Sequence, residues 1–122
     1  IPGANAAITL ASVSGIPMDT YCMLGFPPHK KGRKTFFERV LVNEDPVIFY
    51  ESTHRILKSL VELQKLLPEG ESRWCVVGRE LTKRHETIIR GTIQEVLVKL
   101  QHGETRGEFV VIVSRWQDKR DK

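Results

Sequence analysis

The sequence is short of cysteine and of long apolar runs, and each shortage excludes a class of protein. Its 122 residues include only two cysteines, Cys22 and Cys75, both inside apolar stretches. We expect buried, reduced thiols, with a disulfide as the less favoured alternative. No apolar stretch approaches the roughly 18 residues needed to span a membrane, and we recognise no signal peptide, so we expect a cytoplasmic protein without a membrane partner.

Motifs of several enzyme classes are also missing. The nine glycines are scattered singly, without the spacing of a dinucleotide-binding sequence or a P-loop. The four histidines show no ligand spacing with the cysteines, so no metal site is expected. Ser52 lies outside any nucleophile-elbow sequence. Classical hydrolase and kinase functions are therefore not favoured.

Composition describes one globular domain with a basic balance. The chain is 40% apolar and 28% charged, with a formal net charge of +4 and a pI near 9.3. A basic protein favours an anionic partner, although net charge does not determine fold. The sequence begins at Ile1 without a methionine, and we expect it to be a fragment of a longer protein.

Apolar periodicity and turn residues predict nine elements. Helices are expected at 4–14, 36–43, 56–67 and 93–100, the last opened by a capping box of Thr92 and Glu95. Strands are expected at 21–26, 47–50, 74–78, 87–90 and 109–113. The order predicts a single α/β domain of three-layer type, with a mixed, roughly five-stranded sheet flanked by helices. The sheet is mixed because no crossover helix separates the third strand from the fourth.

Three polar clusters follow predicted strands on the same side of that sheet. They are a basic loop at 30–34, a mixed polar segment at 51–55 and a charged segment at 79–86. Ligands in open α/β sheets bind outside the carboxyl ends of strands, which favours a functional role. The plainer alternatives are a solvated loop, a strand-to-helix turn with Ser52 as N-cap, and a salt-bridged surface turn.

Several of these segments resemble one family. They are FYESTHR at 49–55, RELTKRHE at 79–86, GT at 91–92 and GEF at 107–109, together with PGANA at 2–6, SVSGIP at 12–17 and GFP at 25–27. They are similar to the carboxy-terminal domain of the small-subunit ribosomal RNA methyltransferase I family, in the tetrapyrrole methylase class. One departure is Thr53, where the family usually has proline, and we expect this threonine to cap the following helix.

The resemblance implies an enzyme that uses S-adenosylmethionine to methylate the ribose 2′-hydroxyl of a cytidine in small-subunit rRNA. The cofactor would lie in a cleft between two α/β domains. Residues 1–116 would form the carboxy-terminal domain and residues 117–122 a charged tail. The amino-terminal domain would lie outside this chain, which we expect to be inactive alone. The partner would be small-subunit rRNA or a ribosomal particle, and a homodimer stays open.

Site residues follow from the resemblance and from the chemistry of methyl transfer, which needs an aligned hydroxyl and a nearby base. The resemblance implies cofactor contacts from Asn5, Ala6, Tyr50, Glu51, Gly91, Thr92, Gly107 and Glu108. Candidate catalytic residues are Glu51, Lys83 and Glu86. Candidate RNA-phosphate contacts are Lys30, Lys31, Arg33, Lys34, Lys83 and Arg84.

Two other functions are compatible with the sequence. A tetrapyrrole methylase of the same class would act on a porphyrin- or corrin-like ring, but the cationic loop and the charged 79–86 segment argue against it. A non-catalytic module that binds RNA or another partner would belong to a different class. A glycine-rich cofactor domain upstream of Ile1 would separate the enzyme from the module.

Overall fold

The computed structural model describes residues 4–79, 86–103 and 106–115, with the backbone alone at residues 4 and 5. The helices are α1 (Ala4–Val13), α2 (Arg33–Val42), α3 (Ile56–Leu66) and α4 (Ile93–Gln101). The strands are β1 (Cys22–Gly25), β2 (Val47–Ser52), β3 (Trp74–Arg79), β4 (Thr87–Thr92) and β5 (Glu108–Ser114). All nine predicted elements are therefore present, with ends that differ by a few residues.

The five strands form one mixed sheet in the order β1-β2-β5-β3-β4. Strands β1 and β2 are parallel, and every other neighbouring pair is antiparallel. The last strand in sequence, β5, lies at the centre and pairs with both β2 and β3. The predicted α/β class with a mixed five-stranded sheet is confirmed.

Helices cover both faces of the sheet, which gives three layers. Successive side chains of a strand point to opposite faces. On β5, Phe109, Val111 and Val113 pack in a core with α2, α3 and α4. The intervening Val110 and Ile112 pack in a smaller core with α1. The two faces are called here the three-helix face and the α1 face.

Helix α4 begins as predicted, with a capping box. The Glu95 backbone N–H donates to Thr92 Oγ1 (3.2 Å), and the Thr92 backbone N–H donates to Glu95 Oε1 (2.8 Å). Gly91 precedes the box at φ 154°, and a Cβ at this position would lie 3.0 Å from the Cβ of Glu95. Glycine is therefore needed at this position both for its backbone conformation and for the close approach of Glu95.

Two predicted element boundaries are wrong, and both affect the site. Helix α2 begins at Arg33 rather than at Phe36, because Gly32 caps it in the left-handed conformation (φ 88°). Strand β2 continues through Glu51 to Ser52, so Ser52 is not the N-cap of the next helix. The N-cap of α3 is Arg55, which makes no side-chain capping bond.

Both cysteines are free thiols in different surroundings. Cys75 is buried in the core of the three-helix face, whereas Cys22 is half-buried. Burial raises the pKa of the Cys75 thiol from 9.0 to about 12, because the thiolate would lose its hydration. Unfolding returns this thiol to water, where its pKa falls back towards the ordinary value.

We expect the free energy of unfolding to decrease as the pH rises from 9 towards 12. In this range the unfolded chain releases the Cys75 proton while the folded chain keeps it, so high pH favours unfolding by up to about 1.4 kcal/mol per pH unit. Urea unfolding at several pH values should show that the free energy of unfolding decreases less steeply with pH for Cys75→Ala than for the unsubstituted protein. Equal slopes in the two proteins would contradict the burial of this thiol.

Candidate functional site

The three predicted polar clusters leave the sheet at one common edge. Strands β1, β2 and β3 end there at Gly25, Ser52 and Arg79, and β4 and β5 begin there at Thr87 and Glu108. Ser52 pairs with Glu108, and Arg79 pairs with Thr87. We call this side of the sheet the polar edge. The strand ends that carry the three clusters thus share one side of the sheet, as expected, while residues 80–85 of the third cluster lie outside the described part of the chain.

Arg33 is the most constrained cation of the polar edge. Its Nη1 donates to the Pro28 carbonyl (2.8 Å), its Nη2 to Ser59 Oγ (2.9 Å) and its Nε to Glu62 Oε2 (3.0 Å). The guanidinium also lies over the Phe37 ring, 5.1 Å from the centroid. Arg33 is 7% exposed, although we expected it to contact RNA phosphates from a loop. Its contacts give it a structural role, because all three of its nitrogens donate to groups inside the protein and the side chain is buried.

The carboxylate of Glu51 is also held by hydrogen bonds within the protein. It is 2% exposed. Its Oε2 accepts a hydrogen bond from the Ser59 hydroxyl, and its Oε1 accepts one from the Ser52 backbone N–H (2.9 Å). Since Ser59 also accepts from Arg33, its hydroxyl links a buried guanidinium to a buried carboxylate. We call Arg33, Ser59, Glu51 and Glu62 the buried network. A carboxylate held in this way is poorly placed to accept a proton from a bound substrate.

The two faces of β2 separate residues that are adjacent in sequence. Phe49 packs in the core of the three-helix face, and Glu51 contacts Ser59 of α3 on the same side. Tyr50 packs against the core of the α1 face. Of the predicted cofactor contacts, Tyr50 and Glu51 therefore present their side chains to opposite sides of the sheet.

The predicted cofactor residues are only partly gathered at the polar edge. Tyr50, Glu51, Gly107 and Glu108 lie at or beside it. Ala6 belongs to α1 and packs in the core of the α1 face, and the side chain of residue 5 lies outside the described part of the chain.

Gly91 and Thr92 lie at the opposite edge of the sheet. They pair with Cys75 and Trp74 at the beginning of β3, whereas β3 reaches the polar edge at its other end, Arg79. The family resemblance implied cofactor contacts from both residues, together with the residues at the strand ends. Their observed role is to begin α4.

Two hydrogen bonds hold the segment before β5 at the polar edge. Thr53 Oγ1 donates to the Gly107 carbonyl, and Arg79 Nη1 donates to the Arg106 carbonyl (3.0 Å). Thr53 was expected to cap α3, but its hydroxyl instead joins the end of β2 to residue 107. The ends of β2 and β3 are thereby tied to the same short segment.

The remaining predicted cations and acids are exposed or undescribed. Lys30, Lys31 and Lys34 are exposed. Glu86 is exposed beside the first residue of β4. Lys83 and Arg84 belong to residues 80–85, which lie outside the described part of the chain.

Sequence reasoning missed two residues of this region. Ser59 interrupts the apolar face of α3 that includes Ile56, Leu60 and Leu63, and a polar residue within such a stripe was the available signal. Phe26 was assigned to the end of a strand and to a segment that resembles the family, but to no contact. The centroid of the Phe26 ring lies 5.4 Å from that of the Tyr50 ring, and Phe26 is 52% exposed. No sequence signal distinguishes an exposed phenylalanine of this kind from a buried one.

Metal and membrane sites find no support in the described ranges. Within 4–79, 86–103 and 106–115, no three histidine, cysteine, aspartate or glutamate residues are grouped as a metal site would require. No helix in those ranges is both long enough and apolar enough to cross a membrane.

The architecture is that of a known class of methyltransferases. It superposes on cobalt precorrin-4 methyltransferase, a cobalamin biosynthetic enzyme, with a TM-score of 0.64 over 93% of this chain and 50% of that protein, at 15% identity. The methyltransferase CobJ gives a TM-score of 0.60 over 89% of this chain and 47% of its own, at 18% identity. At these identities the likeness is one of fold.

The sequence assigns the family more closely. A family model for tetrapyrrole (corrin/porphyrin) methylases matches residues 1–97, and the chain belongs to this family. It is 45% identical over 116 residues to ribosomal RNA small subunit methyltransferase I of Escherichia coli O157:H7, and 46% identical to that of Haemophilus influenzae. The Bacillus subtilis protein of the same name is 39% identical over 114 residues. These alignments cover 93% of this chain but only 38–40% of the relatives.

We expect Arg33→Met to lower the free energy of unfolding by about 2–4 kcal/mol, because it removes the ion pair to Glu62 and the hydrogen bond to Ser59, the partner of the buried Glu51. Urea denaturation measures the loss. Lys34→Met, at the exposed neighbouring position, is the matched control and should change stability by less than about 0.5 kcal/mol.

The network also predicts coupling between its members. Arg33→Met and Ser59→Ala should cost less together than the sum of the single losses, since both remove the same hydrogen bond. Strict additivity would contradict a connected network.

Proposed function

We propose that this chain is the carboxy-terminal domain of an S-adenosylmethionine-dependent methyltransferase that acts on the ribose 2′-hydroxyl of a cytidine in small-subunit rRNA. The observation that carries the proposal is the identity to relatives named ribosomal RNA small subunit methyltransferase I across nearly all of this chain. The substrate would be the rRNA or the small-subunit particle, in the bacterial cytoplasm. Because the chain spans about two fifths of those relatives, its activity would depend on the rest of the protein.

The polar edge offers groups that fit the adenosine part of the cofactor. Tyr50 supplies an aromatic face, Glu108 a carboxylate suited to ribose hydroxyls, and Gly107 (φ 102°) a backbone without a side chain. S-adenosylmethionine supplies the electrophilic methyl group when bound. These three residues are the part of the predicted set that we retain for cofactor contact.

The RNA side of the proposal rests on three exposed lysines. Lys30 and Lys31 follow β1, and Lys34 lies in the first turn of α2. Lys65 of α3 extends this cationic surface, since it lines a groove of about 340 Å³ together with Lys34. Lysines of this kind would hold phosphates and set the register of the RNA without reading its sequence. The buried Arg33 is no longer a candidate phosphate contact. Lys83 and Arg84 remain candidates on the basis of the sequence alone.

The catalytic base is assigned by exposure to solvent, because a substrate reaches only a side chain at the surface. The hydroxyl must lie in line with the sulfonium methyl group and lose its proton, so a base needs an accessible lone pair. Glu51 is 2% exposed and therefore closed to a substrate. Glu86 is exposed at the polar edge, and we place it first, followed by Lys83 of the same segment.

Methyl transfer by the complete gene product tests the proposal. Small-subunit particles lacking the modification are incubated with labelled S-adenosylmethionine, and the product is mapped by its resistance to alkaline cleavage at the modified ribose. We expect transfer to a cytidine 2′-hydroxyl, strongly reduced transfer with Glu86→Gln, and none with the 122-residue chain alone. A methyl group on a base, or no transfer to RNA, would refute the proposed function.

A second candidate follows from the family and from the two solved structures. Both are methyltransferases of the same fold, and one acts in cobalamin biosynthesis. A ring substrate would be methylated on carbon, so the same gene product incubated with a corrinoid precursor distinguishes the two. The three exposed lysines favour RNA, because a tetrapyrrole presents fewer negative charges than a polynucleotide.

The lysines predict a salt-dependent affinity. Each phosphate contact contributes about 0.7–0.9 to the slope of log affinity against log salt concentration. We expect Lys31→Gln to weaken rRNA binding by the complete gene product and to flatten this slope by about that amount, as measured by filter binding at several salt concentrations.

The matched control for this measurement is Arg115→Gln. Arg115 is an exposed cation that donates to the Asn43 carbonyl at the opposite edge of the sheet. Its removal should leave the salt slope unchanged. Equal effects of the two substitutions would indicate a diffuse charge effect rather than a binding loop.

A further inference from the structure

An exposed aromatic pair lies at the polar edge. The Phe26 and Tyr50 ring centroids are 5.4 Å apart, with 48° between the ring planes. Phe26 is 52% exposed, although it belongs to the most hydrophobic class of side chain. Tyr50 is half-buried against the α1-face core and supports the first ring. The pair therefore presents a supported aromatic surface to solvent.

The position of the pair links it to the cationic loop. Phe26 directly follows the last residue of β1, Gly25, whose positive φ (74°) ends the strand. Lys30 and Lys31 come four and five residues later and are exposed. An aromatic surface and a set of phosphate-binding cations thus lie within one short segment.

The segment is held in place rather than free. Pro27 is buried after Phe26, and the next residue, Pro28, has its carbonyl bound by the Arg33 guanidinium at 2.8 Å. Prolines restrict the backbone, and the buried network fixes where this backbone lies. A ring that is already positioned loses little conformational entropy when a ligand stacks on it.

We propose that Phe26, supported by Tyr50, is a platform on which a nucleobase of the RNA substrate stacks while the neighbouring lysines hold its phosphates. Single-stranded RNA is bound in this way, by aromatic rings that accept the base and cations that follow the backbone. The adjacent positive charge favours RNA over an uncharged apolar partner. This inference rests on the proposed function and adds a base-contacting residue to it.

Binding of two probes by the complete gene product tests the platform. One is a single-stranded ribo-oligonucleotide of mixed sequence, and the other is the same backbone with abasic sites. We expect Phe26→Leu to weaken binding of the first by about 5- to 150-fold, the range of one stacked base, without changing the salt slope. Binding of the abasic probe by Phe26→Leu should not change. Phe26→Trp, which keeps an aromatic ring, should bind the normal probe as tightly as the unsubstituted protein.

Tyr21→Leu is the matched control. Tyr21 is 48% exposed and precedes the same strand at its other end, so its removal should not affect either probe. Equal losses with Tyr21→Leu, or equal losses on the abasic probe, would overturn the platform. Unchanged RNA binding by Phe26→Leu would overturn it as well.

Binding of S-adenosylhomocysteine separates an RNA base from the cofactor adenine. Calorimetry with Phe26→Leu should give the affinity of the unsubstituted protein, and a loss confined to this ligand would overturn the assignment to RNA. Failure of the proposed function gives a different result, because the unsubstituted protein would then neither methylate RNA nor bind it with a salt-dependent affinity.

Discussion

The guanidinium of Arg33 is the interaction on which the polar edge depends. It joins the loop after β1, the first turn of α2, the middle of α3 and, through Ser59, the end of β2. It pairs with the Glu62 carboxylate directly and is linked to the Glu51 carboxylate through the Ser59 hydroxyl. Removing water from these charges is costly, and the cost is offset because each guanidinium nitrogen and each carboxylate oxygen has a hydrogen-bond partner. The positions of the loop and of the strand end are consequently not independent of each other.

Local patterns in the sequence were sufficient for the elements but not for the roles of individual side chains. Apolar periodicity located each helix and strand, and Thr92 and Glu95 identified the start of α4. Arg33 and its lysine neighbours look alike in sequence. What distinguishes Arg33 is a glutamate 29 positions away, and only the packing of α2 on α3 brings the two together.

The same limit explains the candidate site. The resemblance indicated which segments matter, while strand order and register decide which of them meet. Gly107 reaches the end of β2 because β5 inserts beside it, and Gly91 is carried to the opposite edge because β4 runs antiparallel to β3. Neither relation is encoded locally. Successive side chains of β2 point to opposite faces of the sheet. Glu51 therefore bonds Ser59 on the three-helix face, while Tyr50 lies on the α1 face.

The central place of β5 constrains how this domain can form during synthesis. In the described sheet, β2 and β3 are not hydrogen-bonded to each other, and only β5 joins them. The unit of β1 and β2 and the unit of β3 and β4 are both made before the strand that joins them. Until residue 114 has left the ribosome, each unit carries an unpaired strand edge, the kind of edge that pairs with other chains. The sheet is therefore completed only after its central strand has been made, and the strand edges most exposed to misassembly are those of the incompletely synthesised domain rather than those of the folded one.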